Sequence, residues 1–152
     1  AQFTEGAIRT PASIGTGMRE LIAAFTSYQN QCRFCTQAHA AAASELLGDE
    51  ELVWGALRDL ESSKLGAPEK ALLRFVAKVT NAAAGVSAAD VETVRAAGWN
   101  DEAIYYAITV CALFNFYNRW ISATGVPEMS AEAHRLQGQK LAGHGYLRGE
   151  KK

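Results

Sequence analysis

The sequence predicts an all-α fold in a single domain. Apolar residues recur at spacings of three and four along most of the chain, and no segment shows the alternation that is typical of a β-strand. Capping residues and glycines stand where these apolar runs begin and end. A chain of 152 residues can bury a sizeable core. We therefore expect one domain over 1–152, with its core at about 17–126 and a C-terminal helix and tail at 127–152.

Two helices are predicted before residue 49. Residues 1–15 contain glycines and a proline and are expected to be irregular. A helix is predicted over 17–28. The next helix is expected to begin after Asn30, a good N-cap residue, and to end near Gly48. The apolar stripe of the first helix consists of Met18, Leu21, Ile22 and Phe25.

Three shorter helices are predicted in the middle of the chain. A short one is expected over 49–60, opened by the aspartate at its first position. Pro68 fits the first turn of the following helix, which Gly85 ends. A sequence that resembles a capping box begins at Ser87 and starts a helix that Gly98 closes.

A long helix is predicted over 101–124, capped by Asn100. It is apolar nearly all round between 103 and 117, so we expect it to be buried in the core or in a subunit interface. Its polar residues either pair with other buried groups or line a functional pocket. They are Asn115, Asn118 and Arg119, and the arginine is expected to be buried.

The remaining cysteine and histidines carry little information. Cys111 lies on the apolar part of the long helix and is expected to be an inert packing residue. An amphipathic stretch follows Ser130, and a tail rich in glycine and lysine follows it. His134 and His144 have no partners at a recognisable spacing, so both are expected to be solvated.

The most informative stretch is a Cys-x-x-Cys pair followed by a histidine. On a helix, Cys32, Cys35 and His39 share one stripe, which continues into apolar residues and so faces the core. Cβ atoms three residues apart on a helix are roughly 5–6 Å apart, whereas a relaxed disulfide requires about 3.5–4.5 Å. A Cys32–Cys35 disulfide is therefore possible, strained and readily reduced.

The histidine is placed to activate a thiol. Helical side chains lean towards the N-terminus, so His39 lies over the turn that carries Cys35. It can accept the proton of that thiol or pair with the thiolate, which is the nucleophile. Cys32 is expected in the first helical turn, where the dipole favours an anion. Which sulfur attacks first is therefore open, with Cys35 favoured by its nearness to His39.

Haem, zinc and a disulfide framework fit these residues less well than a redox pair does. Haem attachment needs the histidine directly after the second cysteine, and Thr36 stands there. A structural zinc site commonly needs a second ligand pair, which the chain lacks. An odd number of cysteines, three, argues against a disulfide framework. Mere packing of two buried thiols remains the simplest alternative.

Composition limits the classes of partner. The net charge is −1, so nothing favours binding to nucleic acid or to an anionic membrane surface. No segment has the pattern of a signal peptide or a membrane span, and we expect a cytoplasmic protein. A reducing cytoplasm would keep a cysteine pair in a working cycle. The chain begins at Ala1 without a methionine, so its start was processed or upstream residues are absent.

Glu20 adds the residue that identifies a family. It stands twelve residues before Cys32, in the segment Met18-Arg19-Glu20-Leu21. With the Cys-x-x-Cys-x-x-x-His run, this resembles the signature of the alkylhydroperoxidase D-like proteins, within the carboxymuconolactone decarboxylase superfamily. The segment 114–120, followed by Gly125 and Val126, resembles the peroxidase-related subgroup. The resemblance covers about 18–126.

The resemblance implies an all-helical bundle that works as a homo-oligomer. It implies an antioxidant enzyme that reduces organic hydroperoxides with Cys35 and Cys32, while Glu20 and His39 relay protons. It also implies that a dithiol or a dithiol protein resets the pair, without metal, flavin or haem. Phe34 stands where the best-studied members have a second histidine, which shortens the relay. Two alternatives stay open, a protein disulfide reductase and a non-catalytic redox-sensing oligomer.

Overall fold

The computed structural model describes residues 1–147, and every regular element in that part is helical. The predicted all-α fold is therefore confirmed. A short 3-10 turn, Ala83–Gly85, separates the fifth and sixth α-helices. The α-helices are α1 (Gln2–Arg9), α2 (Thr16–Gln29), α3 (Arg33–Leu47), α4 (Glu50–Arg58), α5 (Ala67–Ala82), α6 (Ala88–Ala96), α7 (Asp101–Thr124) and α8 (Ala131–His144).

Local capping chemistry sets most helix ends where the sequence predicts them. The carboxylate of Asp49 accepts a hydrogen bond from the amide of Leu52 at the start of α4. The Asn100 side chain caps α7, and Ser87 opens α6 with both bonds of a capping box. Gly48 ends α3 in the left-handed conformation, which a glycine adopts without strain. These ends depend on neighbours in sequence, so local signals suffice to find them.

The N-terminal segment departs from the prediction. Residues 1–15 were expected to be irregular, but Gln2–Arg9 forms α1. Its apolar pattern is short and is interrupted by Gly6, so the sequence signal is weak. The helix forms because Ala7 and Ile8 are buried in the core it shares with α2 and α7.

Helix α2 lies at the centre of the fold. Every residue from 17 to 27 is buried, because α2 packs against α1, α3, α4, α5 and α7. Two of these buried residues are charged, Arg19 and Glu20. Helix α3 lies between α2 and α8 and brings the cysteine motif against the same central helix. The site residues are therefore carried by the best-buried part of the chain.

Helix α7 has one buried face and one exposed apolar face. Its buried face includes Val110, Cys111 and Phe114. Arg119 was expected to be buried, but it is exposed and donates to the backbone and side-chain oxygens of Asn115. The expectation failed because an arginine near the end of a helix can turn its head into solvent. The exposed large apolar residues are Tyr105, Ile108, Phe116 and Trp120.

Helices α3 and α8 approach closely at Gly138. A Cβ atom at this position would lie 2.5 Å from the Cβ atom of Ala41 and 2.7 Å from its backbone carbonyl carbon. Backbone atoms cannot move aside as a flexible side chain can. Only glycine therefore permits this contact between the two helices.

We predict that Gly138→Ala destabilises the fold by about 1–3 kcal/mol, because the added methyl group overpacks the contact of α3 with α8. Urea denaturation would measure the free energy of unfolding. Gly143→Ala is the matched control on the same helix. Its Cβ would meet no atom within 4 Å, so the better helix propensity of alanine should add up to about 1 kcal/mol of stability. Equal effects of the two substitutions would contradict the close contact.

Candidate active site

A chain reversal between α2 and α3 places the first cysteine at a helix start. Gln31 adopts a φ of 56°, the left-handed region, and the amide of Cys32 donates to the carbonyl of Ser27 at 3.0 Å. Asn30 was expected to cap the second helix, but it ends α2, and Cys32 itself is the N-cap of α3. The prediction was wrong because the two helices are joined by this tight reversal rather than by a capped loop.

The two thiols are buried and adjacent. Cys32 is 3% exposed and Cys35 is 5% exposed, and both sulfurs are free thiols in this structure. The side chains of Cys32 and Asn118 both influence the pKa of the Cys35 thiol. Asn118 is itself held, since its amide donates to the hydroxyl of Ser27 at 2.8 Å and accepts from Asn30 at 3.0 Å. Of the polar residues on α7, Asn118 is therefore the one at the cysteine pair.

The pKa of Cys35 is raised to about 12, mainly by burial and further by the neighbouring Cys32. Asn118 acts in the opposite direction and lowers this pKa. The sequence predicted that His39 would lower it, and that expectation was wrong for the resting dithiol. Within residues 1–147, no hydrogen bond joins His39 to Cys35. Cys35 is therefore a neutral thiol until a base removes its proton.

His39 is hydrogen-bonded to a fully buried carboxylate. Its Nδ1 lies 2.8 Å from Oε2 of Glu20, which is 0% exposed. The ring of Phe114 packs edge-on against the imidazole, with 4.4 Å between ring centroids. An ionised carboxylate only accepts hydrogen bonds, so it favours the tautomer with the proton on Nδ1. This leaves the lone pair on Nε2 free to act as a base.

Two further residues complete the surroundings of Glu20, and the sequence pointed to neither. Arg9 donates from Nη2 to Oε1 of Glu20 at 2.6 Å, and the hydroxyl of Tyr146 donates to the same oxygen at 2.7 Å. A buried carboxylate requires a cation and hydrogen-bond donors. That rule predicts that Glu20 has partners but does not identify them. Arg9 lies in the segment predicted to be irregular, and Tyr146 lies in the predicted tail.

A buried arginine, Arg19, holds α1 in place. Arg19 on α2 donates to the carbonyl oxygens of Ala7 and Thr10 at 3.2 and 2.8 Å. Its guanidinium lies over the ring of Tyr106, 5.0 Å from the centroid. Burial lowers the pKa of Arg19 below its ordinary value. These bonds fix the end of α1 and the segment after it, which hold the Arg9 side chain near Glu20.

The third cysteine and the distal histidine behave as ordinary side chains. Cys111 is buried, with its sulfur 3.2 Å from the hydroxyl of Thr80, and burial raises its pKa. His144 is exposed. Within residues 1–147, no three histidine, cysteine, aspartate or glutamate side chains are grouped so that they could hold a metal ion. No helix in this range is both long and apolar enough to cross a membrane.

His134 was expected to be solvated, but its side chain is only 4% exposed. Neither ring nitrogen has a hydrogen-bond partner among residues 1–147. The ring packs edge-on against Phe34 at 5.5 Å, and Nε2 lies 3.9 Å from the carboxylate of Glu128. The expectation was wrong because α8 packs with this face on α3. Burial lowers the pKa of His134, against the raising effect of Glu128.

A cavity of about 500 Å³ lies beside the start of α3. Tyr28 and Trp54 provide aromatic surface, and Arg33 provides a positive charge next to Cys32. The other residues that line this cavity are Gln29, Gln31, Thr36 and Gln37.

Two solved structures are similar to this chain. An uncharacterized peroxidase-related protein from Silicibacter sp. TM1040 is 34% identical, with 88% of this chain and 69% of that chain covered and a TM-score of 0.80. An alkylhydroperoxidase AhpD core, an uncharacterized peroxidase-related protein from Ralstonia eutropha JMP134, is 25% identical, with 91% and 72% covered and a TM-score of 0.83. No family model and no curated protein matches the sequence.

We predict that His134 makes the protein less stable in mild acid. Its pKa lies below the ordinary 6.5 in the folded state, so the unfolded chain binds this proton more readily. The stability it contributes is complete above pH 6.5 and declines as the pH falls from 6.5 towards the lowered folded value. His134→Leu should remove this decline. The free-energy gap, which is the difference in the free energy of unfolding between wild type and variant, should therefore change in favour of the variant as the pH falls.

Urea denaturation at a series of pH values on both sides of 6.5 would measure this gap. His144→Gln is the control, because it removes an exposed histidine and should leave the gap independent of pH. A gap for His134→Leu that is constant with pH would contradict the lowered pKa.

Proposed function

The chain belongs to the alkylhydroperoxidase D-like proteins of the peroxidase-related subgroup, and on this premise we propose that it is a thiol peroxidase that reduces organic hydroperoxides. The observation that carries the proposal is the juxtaposition of a buried Cys-x-x-Cys pair with a histidine whose Nδ1 is bound to a buried carboxylate. Oxidation of two thiols to a disulfide supplies the two electrons that reduce a hydroperoxide, and the histidine can transfer the protons.

In the proposed first step, Nε2 of His39 takes the proton of the Cys35 thiol. The thiolate attacks one peroxide oxygen, the O–O bond breaks, and the imidazolium returns its proton to the departing alkoxide, which leaves as an alcohol. Cys35 is then a sulfenic acid. With its pKa raised to about 12, Cys35 carries almost no thiolate at neutral pH. When His39 removes the proton as the sulfur attacks the peroxide, no free thiolate has to form beforehand.

In the second step, Cys32 resolves the sulfenic acid. Its sulfur attacks the sulfur of Cys35, the S–O bond breaks, and water leaves with the thiol proton of Cys32. A disulfide between Cys32 and Cys35 results. A small external dithiol then supplies two electrons and two protons and restores both thiols. Throughout the cycle, Glu20 keeps the proton of His39 on Nδ1.

Burial of the two cysteines favours this proposal over the alternative of a protein disulfide reductase. That activity requires a mixed disulfide with another protein, so one sulfur must be reachable by a large partner. Both cysteine residues here are at least 95% covered. A small peroxide fits such a site better than a protein disulfide does. A redox-sensing module without turnover is the other alternative, and peroxide turnover distinguishes it.

We predict that the protein consumes an organic hydroperoxide such as tert-butyl hydroperoxide, with dithiothreitol as reductant. Cys35→Ser should abolish turnover because it removes the attacking sulfur. Cys32→Ser should stop the cycle after one oxidation and leave a sulfenic acid on Cys35, which dimedone traps and mass spectrometry locates. Cys111→Ser is the matched control and should keep wild-type turnover.

Two results would contradict this mechanism. Retention of both thiols of the pair under excess peroxide would exclude a disulfide cycle. Disulfide formation without any catalytic turnover would favour the sensor. A dimedone adduct on Cys32 in the Cys35→Ser variant, with none on Cys35 in Cys32→Ser, would exchange the roles of the two sulfurs.

We also propose that the exposed apolar face of α7 packs against a second copy of the chain. Tyr105, Phe116 and Trp120 are each more than half exposed on it. Clustered aromatic side chains of this size on a surface typically mark an interface. The proposal agrees with the homo-oligomer expected from the sequence.

We predict that the wild type sediments as an oligomer at micromolar concentration. Phe116→Glu combined with Trp120→Glu should yield monomers, because the charges would be buried unpaired. Leu136→Glu is the control, since it changes an equally exposed apolar residue on α8. A monomeric wild type in sedimentation velocity would refute the interface.

A further inference from the structure

Tyr146 lies just beyond α8, and its hydroxyl reaches the centre of the site. The phenol oxygen is 2.7 Å from Oε1 of Glu20 and 3.3 Å from Nδ1 of His39. We propose that Tyr146 is a positioning residue that holds the Glu20–His39 pair in the arrangement with the proton on Nδ1. The effect on the tautomer stands on geometry alone, while its consequence for the rate rests on the proposed peroxidase function.

The segment that carries Tyr146 is held by two side chains of α1. The amide of Tyr146 donates to Oε2 of Glu5 at 2.6 Å. Arg9 donates to the carbonyl of Leu141 at 2.7 Å, and its guanidinium lies over the Tyr146 ring, 5.4 Å from the centroid. Glu5 and Arg9 are four residues apart and share a face of α1. The phenol is therefore aimed at Glu20 from a fixed backbone.

Gly145 makes this attachment possible. Its φ is +68°, which a residue with a side chain rarely adopts. A Cβ there would lie 2.6 Å from Oε2 of Glu5, the same oxygen that accepts from the amide of Tyr146. The turn after α8 is thus shaped to bring Tyr146 against α1 and over Glu20.

The hydrogen bonds divide the two oxygens of Glu20 between different partners. Oε1 accepts from Arg9 and Tyr146, and Oε2 faces Nδ1 of His39. The single proton of the phenol is directed to Oε1, so towards Nδ1 the phenol oxygen can only accept. Both contacts of the imidazole nitrogen are therefore with acceptors. This stabilises the proton on Nδ1 and leaves the lone pair of Nε2 free for the proposed proton transfer from the Cys35 thiol.

The charged and titratable groups around the phenol keep it a donor. Burial and the carboxylate of Glu20 raise the pKa of Tyr146 far above its ordinary value, and Arg9 opposes them only in part. Glu5 and His39 are the other titratable groups that face it. The phenol therefore remains protonated at neutral pH and below.

The test is Tyr146→Phe, which keeps the ring and removes the hydroxyl. Nitrogen-15 NMR of the histidine rings reports which nitrogen carries the proton. His134→Gln and His144→Gln assign the signals of the other two histidines. We expect the ratio of Nδ1–H to Nε2–H tautomers of His39 to fall several-fold in Tyr146→Phe. Tyr105→Phe, an exposed tyrosine on α7, is the control and should leave the ratio unchanged.

Peroxide turnover provides the second measurement. We expect kcat in Tyr146→Phe to fall roughly tenfold, part of what a general base contributes, with KM unchanged because the proposal gives Tyr146 a role in positioning and not in substrate binding. The kcat–pH profile should shift as well, since the environment of His39 changes. A structural role alone would lower the melting temperature without moving the tautomer ratio.

A wild-type tautomer ratio in folded Tyr146→Phe would overturn the proposal. Glu5→Ala keeps it testable if that variant does not fold, because loss of the backbone anchor should shift the ratio in the same direction. A wild-type protein without peroxide turnover would refute the proposed function alone, since the tautomer measurement does not depend on activity. A changed ratio with unchanged kcat would overturn the catalytic part of the inference.

Discussion

The structure depends on one buried carboxylate. Glu20 lies in the middle of α2 with none of its surface exposed, and an unpaired ion there would cost several kcal/mol. Its three partners come from three other parts of the chain, Arg9 on α1, His39 on α3 and Tyr146 after α8. The need to satisfy this charge therefore ties both ends of the described chain to the central helix. It also explains why the N-terminal segment is ordered as a helix despite its weak apolar pattern.

The same carboxylate decides what the histidine can do. Because Nδ1 of His39 is bound to Glu20, the imidazole cannot also use that nitrogen on a sulfur. Cys35 remains a thiol, with its pKa raised by burial, and a thiol of this kind resists adventitious oxidation and alkylation. Reactivity then depends on proton transfer at the moment a substrate is present. In the proposed peroxidase mechanism, burial protects the two cysteines, and proton transfer by Glu20 and His39 activates them.

A second set of hydrogen bonds shapes the other end of the site. The amide of Asn30 donates to the side-chain oxygens of Asn115 and Asn118, which joins the α2–α3 reversal to α7. Asn118 in turn opposes the rise of the pKa of Cys35. Asn118 thus adjusts the pKa of the Cys35 thiol, to which the ion-paired network makes no hydrogen bond among residues 1–147. Neutral amides serve well here, because they satisfy buried partners without adding another buried charge.

Local chemistry in the sequence was sufficient for the helices whose ends are set by adjacent residues, such as those capped by Asp49 and Asn100. It also placed Cys35 and His39 on one helix, although Cys32 precedes that helix as its N-cap instead of lying in the first turn. Through the family spacing it put Glu20 near the histidine. The tertiary structure alone decided which residues surround Glu20, because Arg9 and Tyr146 are 137 positions apart and meet only through packing. It likewise decided that His134 is buried and Arg119 exposed, since burial depends on which helix faces meet and not on spacing along one helix.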